Sequence, residues 1–129
     1  MNKIEFYQNF QEAADHVKHQ FLTFLLDAKK SKKKVAAYGA AAKGNTLLNY
    51  CGIKHDLIEF VADASPHKQG RYLPGSHIPV FAEKAIRESK PDYVVIFPWN
   101  LKTEITEQLS YIREWGGKFV IAIPSLEIF

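Results

Sequence analysis

Four short apolar runs, spaced apart by helical stripes, constrain this chain more than any other feature. They are residues 35–38 (VAAY), 57–62 (LIEFVA), 93–97 (YVVIF) and 119–123 (FVIAI). Continuous apolar runs this short suit strands that are buried on both faces. Residues 46–50 and 81–89 read as helices between them, and Leu101, Ile105, Leu109, Ile112 and Trp115 form a further helical stripe closed by Gly116 and Gly117. Upstream, Phe6, Phe10, Ala14, Val17, Phe21, Phe24 or Leu25, and Ala28 recur at spacings of three and four, as on one long helix. Strand and helix in alternation call for right-handed crossovers and a parallel sheet covered on both sides. The expected fold is α/β and Rossmann-like, with about four parallel strands in the order 2-1-3-4. One domain spans 1–129, made of an N-terminal helix over 1–31 and an α/β core over 34–124.

Charge and composition narrow the function. The net charge is +3, and much of the excess is one cluster, Lys29, Lys30, Lys32, Lys33 and Lys34, at the expected end of the first helix. Lysines there complement the helix dipole. No aromatic residue is interleaved with them as a stacking surface for bases requires, so no nucleic-acid partner is expected. No apolar run approaches the roughly 20 residues of a membrane span. The N-terminus carries no apolar signal region, and the single Cys51 cannot form an internal disulfide, which makes a reducing cytoplasm the expected location.

In a sheet of order 2-1-3-4 the winding direction reverses between the first and third strands, and a crevice opens at their C-terminal ends. Three segments rim it: 39–46, 63–79 and 98–100. The first, in YGAAAKGNTLLNYCGI, resembles an edited phosphate loop. It is not a Walker A loop, because Lys43 precedes Gly44 and Asn45 follows it. It departs from the dinucleotide fingerprint G-x-G-x-x-G because Ala41 stands at the middle glycine, although Asp63 lies where a ribose-binding acid would be. A plain structural account is also open, in which Gly39 permits a turn and Gly44 permits close helix packing. In either case a helix N-terminus favours an anion, and Lys43 adds charge. Residues 64–79 form a long aperiodic segment bearing His67, Lys68, Arg71 and His77, and Tyr38, Tyr72 and Trp99 could offer flat faces to a base. Together these features suggest a phosphorylated, ring-bearing ligand.

YGAAAKGNTLLNYCGI, VADASPHKQGRYLPGSHIPV, PDYVVIFPWNLKTEI and REWGGKFVIAIP follow one another in this order. In that arrangement the chain resembles the C-terminal domain of S-adenosylmethionine-dependent C-methyltransferases that act on nucleotide-linked deoxysugars. The resemblance runs from about Phe6 to Pro124. It implies a modular enzyme with a cysteine-rich zinc domain, a methyl-donor domain, and this domain helping to bind the sugar nucleotide. It also implies proton abstraction beside a sugar ketone, then methyl transfer to the carbanion.

A single cysteine cannot build a four-thiolate zinc site, and nothing here resembles a methyl-donor domain. S-adenosylmethionine and zinc are therefore implied for the full-length family and not for this chain. The chain is then a separate module that docks on a partner, a relic, or an excised fragment; the start at Met1 favours a free-standing chain, inactive alone or working with a separate methyl-donor subunit. Gly39, Lys43, Gly44, Asn45 and Thr46 would hold the diphosphate or face the sugar. Lys68 and Arg71 would neutralise charge, and Trp99 and Asn100, with Pro98 before them, would close the third side. Tyr38, Ala40, Asp63, Ser65, His67, Tyr72 and His77 complete the candidate binding residues, and none is assigned a catalytic role. The ligand implied is a deoxythymidine diphosphate-sugar. Two other readings stay open: an independent NAD or nucleotide binder keyed by Asp63, and an interaction domain with a vestigial crevice.

Overall fold

Small residues at the centre of the sheet let helices approach from both sides. Strand β1 (Val35–Tyr38) is buried along its whole length and carries Ala36 and Ala37 at its middle. The computed structural model describes residues 3–40, 42–123 and 125–129, and the side chains of all of these except 3–11, 42 and 43. Helix α1 (Lys3–Lys30) leads into β1, and helix α2 (Ala42–Cys51) follows it. Strands β2 (Val61–Ala62) and β3 (Val80–Phe81) then lie successively to one side of β1. After helix α3 (Lys84–Ser89) the chain crosses to the other side of β1, where β4 (Tyr93–Ile96) pairs with it. Helix α4 (Lys102–Gln108) leads to β5 (Lys118–Ile121), and β6 (Glu127–Ile128) closes that edge.

The strand order is β3-β2-β1-β4-β5-β6. All neighbours are parallel except β5 and β6. The expected four-strand order is present at its centre. Two strands of two residues each were not foreseen, and Phe81, expected to open a helix, belongs to β3 while α3 starts at Lys84. The run 57–62 extends the ladder beyond β2, since Glu59 N–H donates to the Val35 carbonyl at 3.0 Å and Ala37 N–H to the Phe60 carbonyl at 3.0 Å.

Alternate side chains of each strand serve two separate cores, as the two-residue strand period requires. Val95 and Phe97 face a core completed by Phe21 and Leu25 of α1 and Leu47 and Leu48 of α2. Val94 and Ile96 face the other core, with Ile86 of α3, Ile105 of α4, and Leu109 and Ile112 beyond it. The stripe that begins at Leu101 is not one continuous helix. Tight 3₁₀ turns flank α4 at Trp99–Leu101 and Ser110–Trp115. The described half of the α1 stripe behaves as expected, with Phe21, Phe24, Leu25 and Ala28 buried. Phe6 and Phe10 lie outside the described side chains. Among the described residues no helix is long and apolar enough to cross a membrane.

Candidate functional site

The glycine turn is shaped by what packs beneath it. Gly39 has φ +99°, and a Cβ there would stand 2.6 Å from Pro98 Cδ. Gly44 is helical, and a Cβ there would lie 2.5 Å from Phe97 Cγ. Both glycines therefore admit the Phe97–Pro98 corner that follows β4. Helix α2 begins at Ala42, earlier than the residues 46–50 expected, so Lys43 and Gly44 lie within its first turn and not ahead of it. The Lys43 side chain lies outside the described residues. Asn45 is half-buried, and its Oδ1 is buried with no hydrogen-bond partner among the described residues. Thr46 is exposed.

Asp63 sits at the mouth of this turn. One carboxylate oxygen accepts the Ala40 N–H at 2.7 Å and the other accepts the Ser65 N–H at 2.8 Å. The Asp63 carbonyl accepts a hydrogen bond from Gln69 Nε2 at 2.8 Å. A charge of this sign near the start of α2 complements the helix dipole. It also occupies the place where an incoming phosphate would otherwise meet the free Ala40 N–H.

Residues 64–79, expected as an aperiodic loop, fold on themselves. Gly70 N–H donates to the Val80 carbonyl at 2.9 Å and Val80 N–H to the Arg71 carbonyl at 2.8 Å, which covers the outer edge of β3. Leu73 N–H donates to the Ile78 carbonyl at 2.9 Å, and Tyr72 bridges Pro79 in antiparallel fashion. Leu73, Ser76 and Ile78 are buried, which gives the segment a small interior of its own. Its tip is fastened to α2 and the residues after it: Asn49 Nδ2 donates to the Pro74 carbonyl at 3.2 Å, and Lys54 Nζ to the Gly75 carbonyl at 3.1 Å.

Between this folded segment and the glycine turn lies a cavity of about 400 Å³, lined by Ala40, His67, Lys68, Arg71, Tyr72, Leu73, Pro74 and Val80. Five candidates from the sequence thus share one wall: Ala40, His67, Lys68, Arg71 and Tyr72. Tyr72 is 66% exposed, and its ring is open to a ligand. The cavity lies between the turn that follows β1 and the segment that leads into β3.

Several expected residues stand elsewhere. Tyr38 cannot offer a stacking face: its ring is buried in the core beneath α3 and α4, and its hydroxyl accepts a hydrogen bond from Gln108 Nε2 at 3.0 Å. Trp99 is half-buried against the same core, Pro98 packs on Gly39, and Asn100 is exposed; none of the three lines the cavity. His77, with φ 58°, is exposed at the far turn of the folded segment and does not line the cavity. Sequence reasoning missed Leu73, Pro74 and Val80 as lining residues and Gln69 as a brace. The Pro74-Gly75 pair between Leu73 and Ile78 is a turn signal that could have revealed a hairpin here.

A larger hollow of about 620 Å³ lies beside α3, lined by residues that include Phe60 and Phe81. Its two carboxylates, Glu59 and Glu88, outweigh its one cation, Lys84, and make it a poor seat for an anion. Cys51 is buried, and desolvation pushes its thiol up to about 11, with Lys18 acting weakly in the opposite sense. A lone thiol held in its neutral form does not fit a zinc site. Burial also pushes the Tyr111 hydroxyl well above its ordinary range, helped by the neighbouring Glu83 carboxylate.

The sequence that builds this three-layer α/β domain matches a known family. Residues 1–124 match the C-methyltransferase C-terminal domain family, and the chain belongs to it. It is similar to the C-methyltransferase NovU of Streptomyces niveus, with 36% identity over 118 residues. That match covers 92% of this chain and 28% of NovU, so the chain spans little more than a quarter of its relative's length.

Proposed function

We propose that this domain binds a nucleotide-linked deoxysugar, held chiefly through its diphosphate. The methyl donor would be supplied by polypeptide beyond these 129 residues, either further segments of the same protein or a separate subunit. The carrying observation is the cavity of about 400 Å³ in which Lys68, Arg71, His67 and Tyr72 converge opposite Ala40 of the glycine turn. Its size is within the range of small-molecule sites. Arg71 presents a planar fork suited to two phosphate oxygens, and Lys68 adds a point charge. The exposed Tyr72 ring gives the nucleoside an amphipathic face. Membership of the C-methyltransferase family supports the choice of ligand.

Methyl transfer to a carbon needs a base against the C–H and a donor methyl in line with it. Within the cavity wall only His67 has the ordinary chemistry of a base, and it is solvent-exposed. In this reading the domain holds the substrate, and the reacting groups come from elsewhere. Purified alone, it should neither bind S-adenosylmethionine nor methylate a keto-sugar nucleotide.

Titration with a deoxythymidine diphosphate-sugar, followed by amide NMR, tests the proposal. Shifts should cluster at residues 67–74 and at Ala40 beside them, and Arg71→Ala should weaken binding by about 1.5–3 kcal/mol, the range for a charged hydrogen bond. NAD should leave the spectrum unchanged. Saturable NAD binding that depends on Asp63 would replace this reading with that of a dinucleotide-binding module.

A further inference from the structure

We propose that Asp63 is a positioning residue that sets the anion-binding side chains in place, and is not itself a ligand for ribose or phosphate. The inference rests on the sugar-nucleotide reading above for its ligand, but its structural part stands on hydrogen bonds already described. Both Asp63 oxygens are engaged by backbone N–H groups, Ala40 at 2.7 Å and Ser65 at 2.8 Å. The carboxylate therefore ties the glycine turn to the first residues of the cationic segment. The tie continues onward. The Ser65 carbonyl accepts the Lys68 N–H at 3.1 Å and the Gln69 N–H at 3.4 Å, and the Lys68 carbonyl accepts the Arg71 N–H at 3.4 Å. Gln69 braces the same turn by donating to the Asp63 carbonyl at 2.8 Å. The backbone carrying Lys68 and Arg71 is thereby built outward from a single carboxylate.

Two consequences follow for specificity. The Ala40 N–H is used internally, so a phosphate gains nothing from it and meets a negative charge there. The anion is accordingly directed to Lys68 and Arg71, on the far side of Ser65. A dinucleotide seated in the usual way, with pyrophosphate on the glycine turn and ribose on the acid at the end of the second strand, is disfavoured twice. The acid in this chain performs the opposite task from the one its position suggests, because it consumes donors where a dinucleotide site would provide them.

Electrostatics and positioning make opposite forecasts for Asp63→Asn. If Asp63 were only a nearby charge, removing it would tighten the binding of an anion. If it sets the segment, the amide group can accept from only one of the two N–H donors well, the turn loosens, and binding weakens. Thymidine diphosphate is the probe, titrated by calorimetry at fixed ionic strength, with amide NMR on the ligand-free protein as the second readout. We expect the Ala40 and Ser65 amide protons of Asp63→Asn to shift upfield and exchange faster. The disturbance should run through Lys68 to Arg71 while core amides of β1 and β4 hold. Affinity should fall about tenfold, the equivalent of one net hydrogen bond. Gln69→Ala, which leaves the carboxylate intact, should loosen residues 65–71 in the same direction and serves if Asp63→Asn does not fold. Unchanged Ala40 and Ser65 amides, or equal or tighter binding by Asp63→Asn, would overturn the proposal. So would an unaltered segment and unaltered affinity in Gln69→Ala. Failure of the wild type to bind thymidine diphosphate would instead count against the sugar-nucleotide reading, and the ligand-free amide result would then decide the role of Asp63.

Discussion

Replacing Gly44 by alanine asks whether this glycine lets a phosphate or a helix come close. The added Cβ would lie 2.5, 2.7 and 2.7 Å from Cγ, Cβ and Cδ2 of Phe97, which is 1% exposed. Carbon atoms in contact prefer about 3.5–4.0 Å, so α2 and the Phe97 corner must separate by roughly 1 Å. Overpacking of this kind costs about 1–3 kcal/mol, and three short contacts with a fully buried ring put this site near the upper end. Alanine in place of a helical glycine recovers up to about 1 kcal/mol. The net loss should be about 2 kcal/mol, which for a domain of this length lowers Tm by roughly 5–10 °C. Thermal and urea unfolding of the variant check it. The double variant with Phe97→Leu should show coupling, in that the alanine costs less when the ring is gone. A Gly44→Ala protein that melts like the wild type, with only ligand affinity reduced, would refute the packing argument and return the glycine to the phosphate.

Further outcomes can be measured on the same domain. Tyr111→Phe removes a buried hydroxyl that has no well-formed hydrogen bond and only the nearby Glu83 carboxylate to interact with, so stability at neutral pH should change by no more than about 1 kcal/mol, by chemical denaturation. Cys51 keeps its proton in the fold to about pH 11, while an unfolded thiol loses it near 8.5. Stability should therefore be unaffected by this group below the unfolded value and decline as pH rises from there through the folded one, a decline that Cys51→Ala abolishes. The same burial should make native Cys51 far slower with a thiol reagent than the unfolded chain. Leu73→Ala, which opens the buried underside of the cationic segment, should cost about 2–4 kcal/mol locally and accelerate amide exchange across 70–80 before the rest of the domain responds.

The central sheet was legible because 35–38, 93–97 and 119–123 are buried on both faces and carry an apolar signal at every position. β3 and β6 were not, since two residues show no period, and Phe81 at the start of an apolar stretch looks the same in a strand or a helix. The early start of α2 was hidden by Lys43 and Gly44, which read as loop residues until Phe97 is seen to require a glycine at that point of the helix. At the site, residue type exposed the cations and the open tyrosine. It could not reveal that Asp63 is spent on backbone amides, or that Tyr38 turns into the opposite core, because both depend on which face of the sheet a strand end presents.

The cationic segment is fastened at its base to the glycine turn and at its tip to Asn49 and Lys54, so it lies against α2 with both ends tied. A wall held in this way has little slack to lose. Ligand capture should then be a single-step encounter, with an observed rate rising linearly with ligand concentration and no slow isomerisation phase behind it. The heat-capacity change should match the area of ligand covered, without the added increment that ordering a loose segment would bring.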